Sequence, residues 1–157
     1  MRHFALILAL SLAPAFAVAQ EIPERDGWRV IDTERPYSEL IEAVKSATTD
    51  NGMGVVTEAG PTQAAADRGV TVPGNRVIGV FNNKYAVDIL GLSVAAMIEA
   101  PIRFYVTENE DGTATLSWKT PSHVFAPYVE EAGDALSTLA SELDAKFEAI
   151  AEAATAP

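Results

Sequence analysis

The chain has 157 residues, no cysteine, and 22 acidic against 11 basic residues, so its formal net charge is −11. The lack of cysteine excludes disulfides, thiol chemistry and thiolate metal sites. The excess of carboxylates argues against the basic patch that nucleic-acid binding requires, and it disfavours anionic lipid as a partner. A cationic partner or a metal ion is compatible with this charge.

The first residues have the pattern of a secretory signal peptide. A basic start at Arg2 precedes the apolar run Phe4–Leu12, and Ala17–Ala19 has the small side chains of a cleavage site. The run is shorter than the about 20 residues that a membrane-spanning helix needs. We therefore expect residues 1–19 to be removed. The mature chain, residues 20–157, would have no membrane span and would be periplasmic or secreted.

The first half of the mature chain alternates predicted strands and helices. Trp28–Ile31 is a short strand, and Ser38 has the side chain of a helix N-cap. Gly52 is predicted to end this first helix in the left-handed conformation. Apolar residues inside the helix recur at helical spacing, namely Leu40, Ile41, Val44 and Ala47. The next predicted elements are a strand, a short helix and a strand, at Met53–Thr57, Pro61–Arg68 and Arg76–Phe81.

The strand Arg76–Phe81 is apolar on both faces, which predicts a central strand that is covered on both sides. Gly79 within it indicates a close backbone approach or a bulge. Two short helical segments follow, Tyr85–Leu90 and Ser93–Glu99, and Pro101 prevents the second from continuing.

The strongest local signal is a β-hairpin from Pro101 to Trp118. Apolar and polar side chains alternate on both sides of an Asp-Gly dipeptide, the pattern typical of two paired strands and their turn. A long helix then begins near Asp134, and its Ala-rich end, residues 151–157, is predicted to fray. One stripe of this helix is apolar and is the natural cover for the hairpin: Leu136, Leu139, Leu143, Phe147 and Ile150.

These elements predict a single domain of the α/β (α+β) class with two layers. A mixed β-sheet of about five strands has helices packed on it, and the chain ends with the hairpin and the long helix.

Several strings of the sequence resemble the DUF302 family, a domain of unknown function. They are Tyr37–Val44, Gly52–Glu58, Arg76–Phe81 with Asn82 directly after it, Ala100–Val106, Glu108–Gly112 and Pro121. The resemblance extends over residues 28–150 of a domain that we place at 20–157. It implies a small α/β domain and no particular activity. Asn83 and Thr120 stand where many members of the family have Pro and Asp.

The candidate ligand-binding residues lie near the ends of predicted strands, where α/β folds place their ligands. Asn82 and Asn83 directly follow the strand Arg76–Phe81. Arg103 can pair with an anionic ligand or with one of the many carboxylates of the chain. The candidates are Asn82, Asn83, Tyr85, Arg103, Tyr105 and His123.

His123 is the only histidine of the mature chain, so any acid–base catalysis or metal ligation by a histidine of that chain would have to use it. With Met53 and Met97 it could ligate haem iron or copper; the simpler interpretation is that both methionines fill gaps in the core. As a general base it would need a carboxylate nearby, such as Glu99, Glu130 or Glu131. The acidic turn Glu108–Asp111 lacks the ligand spacing of a calcium loop.

The first hypothesis for function is an exported, non-enzymatic module that binds a small ligand or a protein partner, with a homodimer compatible with the sequence. The alternative is a periplasmic haem- or copper-binding protein that uses His123 with Met97 or Met53. A third hypothesis is an enzyme, for which the sequence offers no convergent acid–base pair.

Overall fold

The structure, a computed structural model, describes residues 22–157, so the predicted signal peptide lies outside the described residues. The strands are β1 Trp28–Pro36, β2 Gly54–Ala59, β3 Asn75–Phe81, β4 Ile102–Glu108 and β5 Thr113–Lys119. The α-helices are α1 Tyr37–Asp50, α2 Thr62–Ala66, α3 Asn83–Leu92, α4 Pro121–Phe125, α5 Val129–Ala132 and α6 Asp134–Thr155, with 3-10 segments at Ala95–Glu99 and Ala126–Tyr128. Within the described range, no helix is both long and apolar enough to cross a membrane.

The strands form one sheet in the order β1-β5-β4-β3-β2. The prediction of a two-layer domain with five strands is confirmed, but every neighbouring pair is antiparallel, where a mixed sheet was predicted. The difference arises because α1 does not join neighbouring parallel strands. It connects β1 and β2, which lie at opposite edges of the sheet.

One face of the sheet, called here the helix face, packs against α1 and α6 and contains the core. The predicted hairpin supplies its centre. Phe104 stacks on Phe147 of α6 at 4.8 Å between ring centroids and meets Trp118 edge-to-face at 5.4 Å. These three rings are at most 2% exposed. The alternation of the hairpin therefore places its apolar side chains under the long helix, as predicted.

The long helix α6 runs further than the sequence indicates. The predicted stripe is confirmed, since Leu136, Leu143, Phe147 and Ile150 are buried. The prediction that residues 151–157 fray is wrong, because α6 continues to Thr155. Its last turns are held in place by Ala151 and Ala154, which are fully buried against the core.

Strand β3 lies beside the central strand β4, in the interior of the sheet. The close approach predicted at Gly79 is present. A Cβ atom there would lie 2.1 Å from Thr57 Oγ1 and 2.9 Å from Pro101 Cγ. The register of β2 against β3 also shifts between Val55 and Thr57, which is the geometry of a bulge.

Helix α1 begins one residue before the predicted cap. Pro36 precedes the helix, no side chain caps it, and Ser38 lies within the first turn. The prediction of Ser38 as N-cap is therefore wrong, because Pro36 presets its own φ and the strand β1 runs directly into the helix. At the other end the prediction is confirmed, since Gly52 has φ of 72° just after the helix.

Candidate functional site

The other face of the sheet, called here the open face, is formed by the alternate residues of the same strands. The strand register arranges them in rows across the sheet. The first row has Trp28, Lys119, Arg103 and Gly79, the second Val30, Ser117, Tyr105 and Val77, and the third Asp32, Thr115, Thr107 and Asn75. This face therefore carries charged, polar and aromatic side chains in place of the packed core.

A groove of about 470 Å³ lies on the open face. This sheet groove is defined by Trp28, Asn75, Val77, Arg103, Tyr105 and Lys119, and Glu99 and Val124 add to its lining from the neighbouring segments. Its volume is in the range of about 300 to 1,000 Å³ that ligand pockets occupy. Its lining combines apolar and aromatic surface with a few polar and charged groups, which is the composition that such pockets have.

Two cations stand side by side in the groove. Phe104 pairs with Trp118, and the same register continued by one residue places Arg103 opposite Lys119. Both are exposed, and neither forms an ion pair with any of residues 22–157. Like charges directly opposite one another on neighbouring strands destabilise a sheet. The contact between these two cations therefore does not stabilise the sheet.

Trp28 forms the aromatic side of the groove. The Nζ atom of Lys119 lies 5.5 Å from the centroid of the indole, and the guanidinium carbon of Arg25 lies 5.3 Å from it. Both are within the range of a cation–π contact. The indole is half-buried, so part of it faces the groove.

The floor of the groove is fixed by hydrogen bonds between side chains of neighbouring strands. Asn75 Nδ2 donates to the hydroxyl oxygen of Tyr105. Ser117, beside Tyr105 in the second row, is fully buried, and its hydroxyl donates to the Tyr105 carbonyl oxygen at 3.5 Å. The bond from Asn75 orients the Tyr105 ring, and the bond from Ser117 joins the two strands.

Glu99 is the carboxylate of the groove lining. It accepts a hydrogen bond of 2.7 Å from the hydroxyl of Tyr128. This bond is the main reason that the pKa of Tyr128 lies above its ordinary value; burial and the charges of Glu99 and Glu131 act in the same direction. Ser93 in turn donates to Glu131, so these acids are tied to the segments beside the sheet.

Some of the remaining candidates line a second, smaller cavity, and the others lie on the surface. Met53, Met97, Asn82 and Tyr85 line a small cavity between α3, α6 and the sheet. Its volume of about 30 Å³ is far below the about 300 to 1,000 Å³ of ligand pockets. Asn83 is exposed on the first turn of α3. Of the predicted ligand-binding residues, the structure thus brings Arg103 and Tyr105 together in the larger groove.

Asn82 has a structural explanation in this fold. Its side-chain oxygen accepts hydrogen bonds from the backbone N–H groups of Lys84 at 2.8 Å and Tyr85 at 3.4 Å, which makes it the N-cap of α3. Its amide nitrogen donates to the carbonyl of Gly52 at 2.8 Å. The side chain is therefore engaged on both ends by backbone groups.

His123 does not share the cavity that both methionines line. It is exposed in α4, its backbone N–H donates to the Thr120 hydroxyl at 3.3 Å, and its ring lies against Gly27. The arrangement therefore gives no support to a haem or copper site built from these residues.

His123 also meets no carboxylate among residues 22–157, and its neighbour Ser122 is bound by Asp144. No group of three or more histidine, aspartate or glutamate side chains in that range is placed to hold a metal ion. At the hairpin turn, Asp111 accepts from the hydroxyl and the N–H of Thr113, and these bonds lower the pKa of its carboxyl. The acids of the turn thus serve its geometry.

Sequence reasoning missed the groove residues Trp28, Lys119, Asn75 and Val77. Each belongs to a predicted strand or lies within one residue of one, but the sequence does not say which strands are neighbours. One signal was available: Arg103 and Tyr105 alternate with the apolar residues of the hairpin, so both had to lie on the face away from the long helix.

The comparisons with known proteins agree with this fold. The sequence model "Domain of unknown function DUF302" matches residues 30–154. The crystal structure of an uncharacterized conserved protein DUF302 from Bacillus stearothermophilus superposes with a TM-score of 0.70 at 18% identity, covering 80% of this chain and 96% of that one. Among curated proteins none matches. Since the family match spans most of the chain, this protein belongs to the DUF302 family.

Proposed function

We propose that this chain is an exported, non-enzymatic binding module that holds a small organic molecule in the sheet groove. The observation that carries the proposal is the groove itself. It offers about 470 Å³ on a sheet face that α1 and α6 leave free, because both pack on the opposite face. The export step rests on the signal-peptide pattern of residues 1–19.

The groove side chains are suited to holding a ligand. Val77 and Trp28 offer apolar and aromatic surface, and Tyr105 is oriented by Asn75. Oriented aromatic side chains provide contact area at a low cost in conformational entropy. The polar groups around them can fix the position of a ligand.

The groups in the groove do not form a catalytic pair. Catalysis by a positioned base needs a partner group within hydrogen-bond distance of the base. The hydrogen-bond partner of Glu99 is Tyr128, which does not line the groove, and the cations Arg103 and Lys119 stand beside each other. These contacts favour binding over chemical conversion.

The proposal is tested by screening a library of small organic molecules against the ¹⁵N-labelled protein by NMR. We expect ligands to shift the amide signals of Val77, Arg103 and Tyr105. The variant Val77→Phe adds a ring at the centre of the groove and should abolish these shifts. Val87→Phe adds the same ring on α3, where Val87 is 68% exposed, and should leave them unchanged.

Ligands that shift only the signals of other surfaces would refute the proposal, as would binding that Val77→Phe leaves intact. A library without any ligand for the groove would argue equally against it. Turnover of a bound molecule into a product would replace the binding module with an enzyme.

A further inference from the structure

The strongest unexplained feature of the molecule is the pair of cations in the first row of the open face. Arg103 and Lys119 face each other across β4 and β5 without an acidic partner among the described residues. The chain has twice as many acidic as basic residues, and four of the ten cations among residues 22–157 form ion pairs, as Arg29 does with Glu148 at 2.8 Å; Arg103 and Lys119 are two of the others, and they share one groove. A repulsive pair that breaks a local rule of sheet stability is characteristic of a functional site.

The acids near the open face are engaged by other side chains. Asp32 stands in the third row and accepts a hydrogen bond from Thr115 at 2.7 Å. Glu99, at the groove, is held by Tyr128. The groove lining therefore holds two cations, Arg103 and Lys119, against the one carboxylate Glu99, on a protein whose net charge is negative.

An aromatic surface adjoins these two cations. Trp28 is the neighbour of Lys119 in the same row, and its ring has Lys119 and Arg25 within cation–π distance. A flat apolar group can lie against this indole while an anionic group attached to it reaches the two cations. A guanidinium binds a carboxylate through two parallel hydrogen bonds, which fixes the orientation of the bound group.

We infer that the ligand of the sheet groove is a small organic carboxylate with a flat apolar body. Its carboxylate binds between Arg103 and Lys119, and its body packs against Trp28. This inference rests on the proposed function and gives the chemical class of the molecule that the groove binds.

A second copy of the chain fits this surface less well than a small anion. Stacking two open faces about a two-fold axis would bring both cation pairs into one interface. Like charges brought together across an interface cost several kcal/mol. A carboxylate instead neutralises the pair, so binding removes a repulsion that the free protein contains.

The test compares three probes that share one ring system and differ in charge: 2-naphthoate, 2-naphthalenemethanol and 2-naphthylmethylammonium. Binding is measured by isothermal titration calorimetry and by the fluorescence of Trp28, with Trp28→Phe to assign the signal. We expect 2-naphthoate to bind roughly tenfold or more tightly than the neutral probe, and the cation to bind most weakly.

Variants locate the charge dependence. Arg103→Gln and Lys119→Gln should each weaken 2-naphthoate binding roughly tenfold while leaving the affinity for the neutral probe unchanged. The controls Arg68→Gln and Lys84→Gln change the net charge equally at exposed positions outside the groove and should have little effect. A loss of affinity that both controls reproduce would reflect net charge alone and would overturn the inference.

The outcomes separate this inference from the proposed function. Equal affinity for all three probes, or a preference for the cation, overturns the carboxylate assignment, while Val77→Phe still reports whether the groove is the binding site. Failure of 2-naphthoate to bind at millimolar concentration also overturns the assignment. An increase in molecular mass that Arg103→Gln abolishes would identify a second copy of the chain as the occupant.

Discussion

The two faces of one sheet divide stability and recognition between them. On β4, Phe104 is fully buried under α6, whereas its neighbours Arg103 and Tyr105 face the open side. The two sets alternate residue by residue because successive side chains of a strand point in opposite directions. A strand can therefore hold the core with one set of side chains and present polar and charged groups to a ligand with the other.

The two faces also differ in whether they contain destabilising contacts. The helix face contains aromatic rings in stacked and edge-to-face contact, which stabilise the fold. The open face keeps the cations Arg103 and Lys119 opposite each other, an arrangement that does not stabilise the fold. The free energy that the core supplies allows a binding surface to retain a repulsive pair.

The largest expected effect is on the helix face. Phe104→Ala should lower the free energy of unfolding by about 3–5 kcal/mol, because it leaves a cavity between Phe147 and Trp118. Urea denaturation followed by circular dichroism measures it. Arg103→Gln, one residue away, should change stability by less than about 1 kcal/mol. Similar losses in both variants would contradict the division between the faces.

A smaller effect is expected at Gly79, in the first row of the open face. Gly79→Ala would place a Cβ atom 2.1 Å from Thr57 Oγ1 and 2.9 Å from Pro101 Cγ, so the strands or the ring must shift. Overpacking of this kind costs about 1–3 kcal/mol. The double variant with Thr57→Ala should recover part of the loss, since it removes the closest contact. Strict additivity of the two changes would show that this contact is not the cause.

The fold was largely predictable because its signals are local. The hairpin and the stripe of α6 each follow from a period that one segment displays alone. The pairing direction was not predictable in this way, since a helical connection is compatible with parallel and antiparallel partners. The burial of Ala151 and Ala154 was missed because an Ala-rich helix end looks frayed unless the surface that covers it is known.

The sequence could predict which candidate-site residues share a face of one strand, but not which residues of the neighbouring strands lie beside them. Arg103 and Tyr105 were selected together because they share one face of β4. Trp28 and Lys119 stand beside them through pairings between β1, β5 and β4, and such register depends on the whole sheet. Asn82 was selected as a ligand-binding candidate because it directly follows a predicted strand. Its role as the N-cap of α3 was missed because that helix was predicted to begin at Tyr85, whereas it begins at Asn83.

Two variants of the cation pair on the open face can be compared, one at Arg103 and one at Lys119. Arg103→Gln removes only the repulsion with Lys119 and should raise the free energy of unfolding by about 0.2–1 kcal/mol. Lys119→Gln relieves the same repulsion but loses the contact with Trp28, worth about 0.5–1 kcal/mol, so the two effects should nearly cancel. Denaturation at low and high salt measures both. A destabilised Arg103→Gln would show that the arginine has a structural role.

The smallest expected effect is a pH dependence at the edge of the groove. The pKa of Tyr128 is raised in the folded protein, first by its hydrogen bond to Glu99. A raised folded-state pKa contributes stability that is complete below the unfolded value of about 10 and is lost as the pH rises through the folded value. The stability difference between the natural protein and Tyr128→Phe should therefore be constant from pH 7 to about 9 and decrease above pH 10.

Urea titrations of both proteins across this range measure the effect, with Glu99→Gln as the matched control. The glutamine keeps an oxygen that can accept the Tyr128 hydrogen bond but carries no charge, so the decrease at high pH should become smaller. A difference that stays constant through pH 11 would show that Tyr128 gains nothing from Glu99 in the folded state. Glu99 would then be free to turn toward the groove, and its variants should change the affinity for 2-naphthoate more than those of Tyr128.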